Sequence, residues 1–594
     1  MTVLNPEEFV FETKRKQIRS AFFKLLPVQI FGVLIGAINH FIDSLIVGNF
    51  LDTETMAAVG FFAPLGTIIG LSHLIVVGVQ ILCGNYIGSG ERKKLLSLFS
   101  SGVVFLGCAG LAFSTVCFFG RMQIAQFLGA EGNTAVLLAD YISGYALGIT
   151  GQILCGMMMC FLPFNNDIKL SYIAIAFTMF LNVSGDLFFV VVLEMGAFGL
   201  GSATALSYLL TTVLISRSYL NEDKAIHLQF KDFDFIKLIS TARLGLPSLM
   251  FTLGITIKAY IMNIVLAENV GDAAVAVMNI QGDVCAILGA VPFGCAEAFV
   301  ALGSIYYGEE DRFSFQTLVK TALMTCIILS GSSVLLLMFG STIIPSMFFD
   351  PSEKAWEVAS TMLLLFPSFL IFNGILNVLM KSYQVQGKIS LVNALSFSEN
   401  LIMACIAAVL TPMIGSNGVW LSFPLAELIC IAILSISVFV QAGKITFDFA
   451  DWLKLDADFG ADTSNSMEFT VSSTEKDLNV TDKIIDVIEF CKERGVDERR
   501  SSLVGLCAEE MTNNTIIHGF KEGEEHTAVV RVTVKNELVL RIRDDCPEFS
   551  PKKRLEQFSV ENFEKNVGIR LVSKLAKEMN YQNNAGINTI IIKI

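Results

Sequence analysis

The segment Pro27–Phe50, PVQIFGVLIGAINHFIDSLIVGNF, is apolar over almost its whole length. As a helix it is about 36 Å long, enough to cross a hydrocarbon core of about 30 Å, so it predicts a membrane-spanning helix. Asn39, His40 and Asp43 lie within it. A carboxylate at that depth costs about 2.5 kcal/mol or more unless it faces a cavity or a partner. Asp43 is therefore the first candidate functional residue, and the alternative is a carboxylate that reaches water from a helix end.

The composition indicates a membrane protein with a soluble tail. Of the 594 residues, 53% are hydrophobic and 16% are charged, and the mean hydropathy of +0.62 is too high for a soluble protein of this size. Nearly half of the charged residues lie after residue 450. The net charge of −13, without a dense basic run, gives no reason to expect nucleic-acid binding. The thirteen cysteines show no paired metal-like spacing and are expected to be small core residues.

Apolar segments predict twelve spans in two sets of six. They lie near residues 25–50, 56–83, 95–119, 135–162, 168–192 and 196–219, and near 243–268, 273–306, 317–346, 355–381, 389–412 and 417–442. Lys and Arg collect in the even-numbered turns and at the two ends, whereas only Arg121 and Lys354 fall in the opposite turns. This bias predicts that both termini are cytoplasmic. The charged first 24 residues run directly into a full-length span, so we expect no cleaved signal peptide.

The two sets of spans repeat one another in sequence. Pro27 corresponds to Pro247, residues 78–92 correspond to 296–312, and GAFGLGSATALSY (196–208) corresponds to GSNGVWLSFPLAE (415–427). Three motifs in the same register make a chance match improbable. A parallel repeat of six-helix bundles is a known transporter plan, with the substrate path between the two halves.

Three of these features in order resemble the multidrug and toxic compound extrusion (MATE) transporters. They are Pro27, the run DSLIVG that begins at Asp43, and MAAVG (56–60). The resemblance implies that Asp43, together with an Asn and an Asp on the fifth span, lines a cavity that binds H⁺ or Na⁺. Asn182 and Asp186 match that pair, and their i, i+4 spacing puts both on one helix face. Asp186 could instead be an interfacial residue, because its span ends soon afterwards.

The second half of the membrane region has different polar candidates. Counting from the paired prolines, Asn263 stands opposite Asp43, so only the first half keeps that carboxylate. Lys258 is the one basic residue well inside a predicted span, and an acidic partner is expected for it, with Glu297 and Glu399 as candidates and Glu427 also within a span. We expect Asn39, Lys258, Asn263, Glu297 and Glu399 to line the substrate cavity. A structural ion pair that locks helices is the alternative for the charged members.

The tail contains three stretches with chemically informative residues. EEMTNNTIIHG (509–519) places Glu510, Asn514 and His518 along one helical stripe, which suits Mg²⁺ and a polarised water or hydroxyl. RIRDDCPEFSP (541–551) puts Asp544 at the end of a strand, and NVGIRLV (566–572) begins a helix at which Gly568 and free N–H groups could hold phosphate. The alternative for the first stretch is an amphipathic helix with a solvated polar stripe.

In this order the stretches resemble the N, G1 and G2 boxes of the GHKL ATP-binding fold, in its anti-sigma-factor serine-kinase branch. The resemblance implies Mg-ATP as cofactor, with Glu510 as general base, Asn514 on Mg²⁺, Asp544 on the adenine amino group, His518 and Gly568 beside the nucleotide, and a lid around 550–566. Cys546 and Asn566 stand where the family has glycines. The predicted tail function is therefore nucleotide binding, with turnover left open.

Together these features predict an all-α polytopic membrane protein of twelve transmembrane helices in two six-helix repeats, followed by an α+β domain. The predicted divisions are 1–24, 25–220, 221–242, 243–445, a linker at 446–466, and the ATP-binding domain at 467–594. The predicted function is export of small cationic or amphipathic organic compounds in exchange for H⁺ or Na⁺ across the cytoplasmic membrane. The rival is a membrane-tethered kinase or nucleotide sensor whose tail acts on a protein partner.

Overall fold

The computed structural model describes residues 6–222, 224–456, 458–460, 465–473, 480–521, 523–535, 537–548 and 567–594. The first part is helical: α1 Pro6–Phe50, α2 Thr53–Gly60, α3 Ala63–Gly70, α4 His73–Ser89, α5 Arg92–Phe119, α6 Arg121–Phe127, α7 Gly132–Ala146, α8 Ile149–Met159, α9 Ile168–Asp186, α10 Gly196–Tyr219, α11 Phe235–Asn269, α12 Asp272–Leu288, α13 Ala290–Gly308, α14 Arg312–Phe339, α15 Lys354–Leu365, α16 Phe369–Val385, α17 Ile389–Ile414, α18 Ser416–Ala442 and α19 Phe449–Trp452. The tail adds β1 Ser466–Ser472, α20 Val480–Glu493, α21 Glu498–Gly519, β2 Thr527–Val534, β3 Leu538–Asp544, α22 Val567–Leu575, β4 Glu578–Asn584 and β5 Ile587–Lys593.

The helices account for the predicted spans. Within the described residues, ten helical stretches are long and apolar enough to cross a membrane, and two further pairs, α7 with α8 and α15 with α16, are each bent by 47°. If each bent pair is one span, the number is twelve. Apolar helices form here because a backbone in lipid must satisfy its hydrogen bonds internally.

The first helix is much longer than a membrane is thick. α1 runs unbroken for 45 residues, or about 68 Å against a hydrocarbon core of about 30 Å. One face of its first half is nevertheless buried, with Lys14, Ile18 and Phe22 each at most 3% exposed. The charged start of the chain is thus a packed helix that continues into the first span. We call the side of the bundle that carries residues 465–594 the tail side, and the opposite side the far side.

The two halves of the membrane region pack against each other on the tail side. α4 contacts α11 and α13, and α1 contacts α13. A Cβ built on Gly88 of α4 would lie 2.1 Å from the carbonyl oxygen of Ile305 on α13, so only glycine permits this approach. Towards the far side, a Cβ on Gly36 or Gly66 would meet nothing within 4 Å. The two halves, which we call lobes from here on, are therefore packed tightly against each other at the tail side.

Matching backbone features recur in the two halves. Gly196 and Gly415, which correspond in the sequence repeat, precede or begin α10 and α18 with φ of 57° and 65°. This left-handed conformation favours glycine. The repeat is thus visible in the backbone conformation as well as in the sequence.

The tail is an antiparallel sheet with helices on one face. The strand order is β1-β2-β3-β5-β4, and α20, α21 and α22 share one hydrophobic core with the strands. Side chains alternate along a strand: Leu540 and Ile542 of β3 belong to that core, whereas Arg541 and Arg543 contact the membrane helices from the other face. The sheet therefore lies between its own helices and the membrane region.

Candidate functional site

Two carboxyl groups meet in the first half of the membrane region. Asp43 lies two turns before the end of α1, and Asp186 is the last residue of α9. The carboxyl groups lie within hydrogen-bonding reach of each other. Asp186 is fully buried, and apart from Asp43 no group in the described part of the chain donates a hydrogen bond to its oxygens. Such a pair strongly favours uptake of a cation between the two groups.

Amide side chains surround this carboxyl pair. Asn182, one turn before Asp186, is buried and donates to the hydroxyl of Thr204 on α10 at 3.2 Å. Asn39 is one turn before Asp43 and is also buried. The amide oxygens of both residues lack a hydrogen-bond donor among the described residues. Carboxylate and amide oxygens are suitable ligands for a hard cation.

The backbone changes geometry directly after Asp186. Residues Leu187–Val192 form a π-helix, a rare form that often occurs at functional sites. Tyr141 on α7 is near enough to both carboxyl groups to interact with their charge. The sequence analysis did not predict Thr204 or Tyr141, since a lone Thr or Tyr on an apolar helix carries no distinguishing pattern.

A second polar cluster lies in the other half. Lys258 of α11 interacts electrostatically with Glu399 and Glu427, and its ammonium group lies 5.2 Å from the ring centre of Phe423. Both glutamates are buried. Glu427 accepts a hydrogen bond from Asn373 at 2.9 Å. Glu399, one of the two predicted partners, is therefore beside Lys258.

Glu297 and Asn263 were also predicted to line the substrate cavity. Glu297 forms an ion pair with Lys381 at 2.7 Å, so the expectation that it could be the partner of Lys258 was wrong. Its helix, α13, turns that side chain towards α16, a direction that spacing along the chain could not reveal. Asn263 is exposed, and its place in a cavity stays a prediction.

Three of the predicted tail residues meet between α21 and α22. Glu510 and Asn514 are half-buried on α21, and Gly568 on α22 lies directly against them. A Cβ on Gly568 would meet Glu510 Oε2 at 2.0 Å and Asn514 Nδ2 at 3.6 Å. Only glycine leaves room at that point. His518 is exposed at the end of the same helix, while Asn566 and the predicted lid at 550–566 lie outside the described residues.

Asp544 is held in a polar socket. It is 4% exposed, and it accepts hydrogen bonds from Asn588 Nδ2 at 2.7 Å and from the backbone N–H of Cys546 at 3.1 Å. Asn588 lies opposite Asp544 on β5 and accepts from Tyr581 and Asn583 at 2.7 Å each. Asn588 escaped the sequence analysis because it lies 44 residues from Asp544. The socket fixes the carboxyl group that the nucleotide would meet.

The burial of Asp544 predicts how the stability of the protein depends on pH. Burial raises the pKa of the Asp544 carboxyl, and its hydrogen bonds offset only part of that rise. A raised folded-state pKa means that the carboxyl group favours folding at low pH and loses that contribution as pH rises. We therefore expect Asp544→Asn to unfold at the same or a higher temperature than wild type at pH 8, with wild type gaining relative stability at pH 5.

Thermal unfolding of the full-length protein in detergent checks this expectation. Asp545→Asn is the matched control, because Asp545 accepts from the backbone and hydroxyl of Thr527 at 2.7 and 3.2 Å and its loss should lower the unfolding temperature. A marked loss of stability in Asp544→Asn at pH 8 would contradict the argument.

One other group has potential metal ligands. Ligand atoms of His526, Asp545 and Cys546 lie within 4.8 Å of one another. Asp545 is already satisfied by Thr527, and burial together with Asp544 raises the pKa of the Cys546 thiol. A neutral thiol is a poor metal ligand. We therefore interpret His526, Asp545 and Cys546 as structural residues beside Asp544, and not as a metal site.

Comparison with known proteins agrees with both parts of the chain. The MatE family model matches residues 29–188 and 247–409, which is more than half of the chain. A model described as histidine kinase-like ATPase domain matches residues 475–594. The multidrug export protein MepA of Staphylococcus saprophyticus is 20% identical over 459 residues, covering 76% of this chain and 100% of that protein. MepA of Staphylococcus aureus is also 20% identical, over 458 residues, with the same coverage.

Solved structures show the same membrane fold. A structure of a multidrug resistance MATE family transporter in an outward-facing conformation superimposes with a TM-score of 0.66 at 19% identity, over 70% of this chain and 94% of that one. A MOP superfamily transporter from Pyrococcus furiosus gives 0.65 at 19% identity with the same coverage. With the family match, the repeat and the carboxyl pair in agreement, this multi-pass membrane protein belongs to the MatE family of multidrug and toxic compound extrusion transporters and carries a histidine kinase-like ATPase domain at its C-terminal end.

Proposed function

We propose that this transporter is a secondary antiporter that exports small cationic or amphipathic organic compounds across the cytoplasmic membrane in exchange for H⁺ or Na⁺. The observation that carries the proposal is the buried approach of Asp186 to Asp43. The names of the relatives, multidrug export proteins, support the substrate class.

The carboxyl pair provides a means of coupling. With both groups ionised they repel each other in a low-dielectric site, and a proton or Na⁺ between them removes that repulsion. Because Asp43 is on α1 and Asp186 on α9, cation binding changes the free energy with which these helices approach. The amide oxygens of Asn39 and Asn182, which lack a donor among the described residues, would be further ligands for the cation. Release of the cation on the other side of the membrane then returns the pair to its repulsive state.

The orientation follows from charge. Arg92, Lys93 and Lys94 follow the tail-side end of α4, and Arg312 follows the tail-side end of α13. Positive residues near span ends favour the cytoplasmic side. We therefore assign the tail side, with both termini, to the cytoplasm. Because interlobe packing is tight there, the structure corresponds to the state that is closed to the cytoplasm, and rocking of the two lobes would open it.

Transport into proteoliposomes tests the proposal. Full-length protein is reconstituted, a pH gradient or a Na⁺ gradient is imposed separately, and movement of a fluorescent organic cation such as ethidium is followed. We expect movement against the cation's own gradient with one of the two imposed gradients, and its collapse when an ionophore dissipates that gradient. Movement that ignores both gradients would remove the antiport proposal.

For the tail we propose binding of Mg-ATP and regulation of the transporter. The close approach of Gly568 on α22 to the Glu510 carboxylate and the Asn514 amide on α21 supports this proposal, because a carboxylate and an amide side chain are suitable for holding Mg²⁺. Asn514 would hold Mg²⁺, and Asp544 would accept a hydrogen bond from the adenine amino group. Glu510 would act as general base on the hydroxyl group that receives the phosphoryl group. Bound Mg-ATP supplies the transferable phosphoryl group, and the chain's own residues position it and exclude water.

The tail should be dispensable for insertion and basal transport. We expect a chain that ends at Gly460 to insert normally and to transport no more slowly than the full-length protein, because the spans and α19 form their helix–helix contacts without the tail, which adds Ala585 and Ile587 to their buried core. Phe459 stacks on Tyr307 with ring centres 4.7 Å apart, and Tyr383 donates to the carbonyl of Trp452 at 2.6 Å, so the end point must lie after Phe459.

Yield of folded protein and proteoliposome transport measure this result. A chain that ends at Asp448 is the matched control, and we expect a lower yield from it because it also lacks α19 and Phe459. If the chain ending at Gly460 inserts well but transports nothing in any gradient, the tail is an integral part of the machine. That outcome would favour the membrane-tethered kinase or sensor.

A further inference from the structure

The ends of two helices form the seam between the lobes on the tail side. Gly88 of α4 approaches Ile305 of α13, and a Cβ on Gly308 of α13 would lie 2.2 Å from the carbonyl oxygen of Asn85 on α4. The segments that follow, GSGER (88–92) and GEEDR (308–312), are counterparts in the sequence repeat. They belong to different lobes. We call this pair of helix ends the tail-side gate.

The outer face of the tail sheet binds the α4 end of the gate through its backbone. Arg541 donates to the carbonyl of Gly88 at 2.6 Å, Asn580 to that of Gly90 at 3.1 Å, and Gln582 to that of Ile87 at 3.4 Å. These carbonyls lie at the C-terminal end of α4, where the last carbonyls of a helix lack their usual partners within the helix. The sheet therefore caps α4, and the contact requires a specific placement of β3 and β4.

The same face binds the α13 end of the gate through charge. Arg543 forms an ion pair with Glu309, and Lys535 forms one with Glu310. Arg531 lies 3.9 Å from Asp311. Glu309 and Asp311 are only 6% and 4% exposed, so their pairs with Arg543 and Arg531 are formed away from water. Burial alone would raise the pKa of Asp311, but Lys14, Arg531 and Arg543 outweigh it and hold that pKa well below its usual value.

Two side chains join three parts of the molecule. Arg541 reaches Gly88 of one lobe and, with its Nε at 3.8 Å, Glu309 of the other. Lys14 of α1 lies 3.0 Å from both Asp311 of the second lobe and Glu468 of the tail. The charges surround a cavity of about 10 Å³, the size of one water molecule. The contact is thus a continuous buried network across the seam.

From this geometry we infer that the ATPase domain is a lock on the cytoplasmic gate, so that the domain must leave at least one lobe before the transporter can open to the cytoplasm. The inference rests on the proposed function, because it takes alternating access by rocking lobes and a cytoplasmic tail as given. Rocking separates α4 from α13 on the tail side. A single sheet that is bonded to the ends of both α4 and α13 cannot move with both helices, because hydrogen bonds between its strands hold it rigid.

A buried residue at the seam can report whether the gate opens. Ser304 on α13 is fully buried, and a Cβ on Gly84 of α4 would lie 1.9 Å from its hydroxyl oxygen. We would introduce Ser304→Cys into the full-length protein in membranes and treat it with a membrane-impermeant maleimide from the cytoplasmic side. Peptide mass spectrometry then reads the labelling of position 304 separately from the native cysteines.

The lock predicts which substitutions increase labelling. We expect Arg543→Gln and Arg541→Gln to raise the rate of labelling at position 304 by at least about fivefold, and the chain that ends at Gly460 to do the same. Lys535→Gln is the matched control, because its pair with Glu310 is about half exposed and touches one lobe only. We expect no change in that control.

The outcome separates the lock from the transport proposal. Unchanged labelling in the chain that ends at Gly460, with correct insertion, would overturn the lock, because the helices would then close the gate by themselves. An equal rise in the labelling rate of Lys535→Gln would also overturn the lock, because the loss of any positive charge from the sheet would then be enough to open the gate. Labelling needs no substrate and no gradient, so a failure of antiport would appear only in the proteoliposome assay.

Discussion

Asp43→Asn is expected to abolish gradient-driven export while leaving the protein inserted and folded. A coupling ion can drive the transporter only by the difference in its affinity for the two states, so loss of one carboxyl group of the pair should leave below about a tenth of the wild-type rate. Asp186 would remain buried beside a neutral amide. The repulsion between two carboxylates, which drives cation uptake by the pair, would then be absent. Asp186→Asn should weaken coupling for the same reason.

Proteoliposome transport under an imposed pH or Na⁺ gradient measures this effect. Asp140→Asn is a matched control, because Asp140 is an exposed carboxylate on α7 in the same lobe, and its transport should equal wild type. Equilibrium binding of the organic cation should survive in Asp43→Asn, which separates coupling from substrate recognition. Normal export by Asp43→Asn would eliminate the coupling role of the pair.

The second large effect concerns the ATPase domain, where binding and chemistry should separate. We expect Asn514→Ala and Asp544→Asn to remove Mg-ATP binding, because a metal ligand or the adenine contact is lost from the ground-state complex. Glu510→Gln should leave binding intact and remove any phosphoryl transfer, because a general base acts in the transition state. Because Cys546 and Asn566 replace glycines that the resemblance leads us to expect, and glycine is the least restricted residue in its backbone, we expect weak affinity in wild type.

Calorimetry with Mg-ATP on the full-length protein in nanodiscs gives the affinities, and release of labelled phosphate or labelling of a protein gives the chemistry. The full chain is required because the outer face of the tail sheet is covered by the membrane helices, and the isolated tail would expose it. Glu509→Gln is the control, a carboxylate one residue away on another face of α21. Folded wild type without nucleotide-dependent heat would show a domain that keeps the fold and has lost the ligand, and transfer to a partner would favour the kinase alternative.

The local elements of this protein can be predicted from its sequence. The apolar runs predicted the spans because lipid leaves no other way to satisfy a backbone, and this signal is local. The i, i+4 spacing placed Asn182 and Asp186 on one face for the same local reason. The N box placed Glu510 and Asn514 together on α21. Each of these inferences needs only residues within a few turns of one another.

Tertiary structure alone decided what each polar face meets. Asp43 and Asp186 are 143 residues apart, and their approach depends on how α1 packs on α9. Glu297 pairs with Lys381 because of the rotation of α13, which the one-dimensional pattern does not contain. Arg541 and Arg543 alternate with Leu540 and Ile542 as on any half-solvated strand. Periodicity reports that a face is polar, but whether water or another part of the chain covers it depends on long-range packing, and here that covering surface is the gate of the transporter.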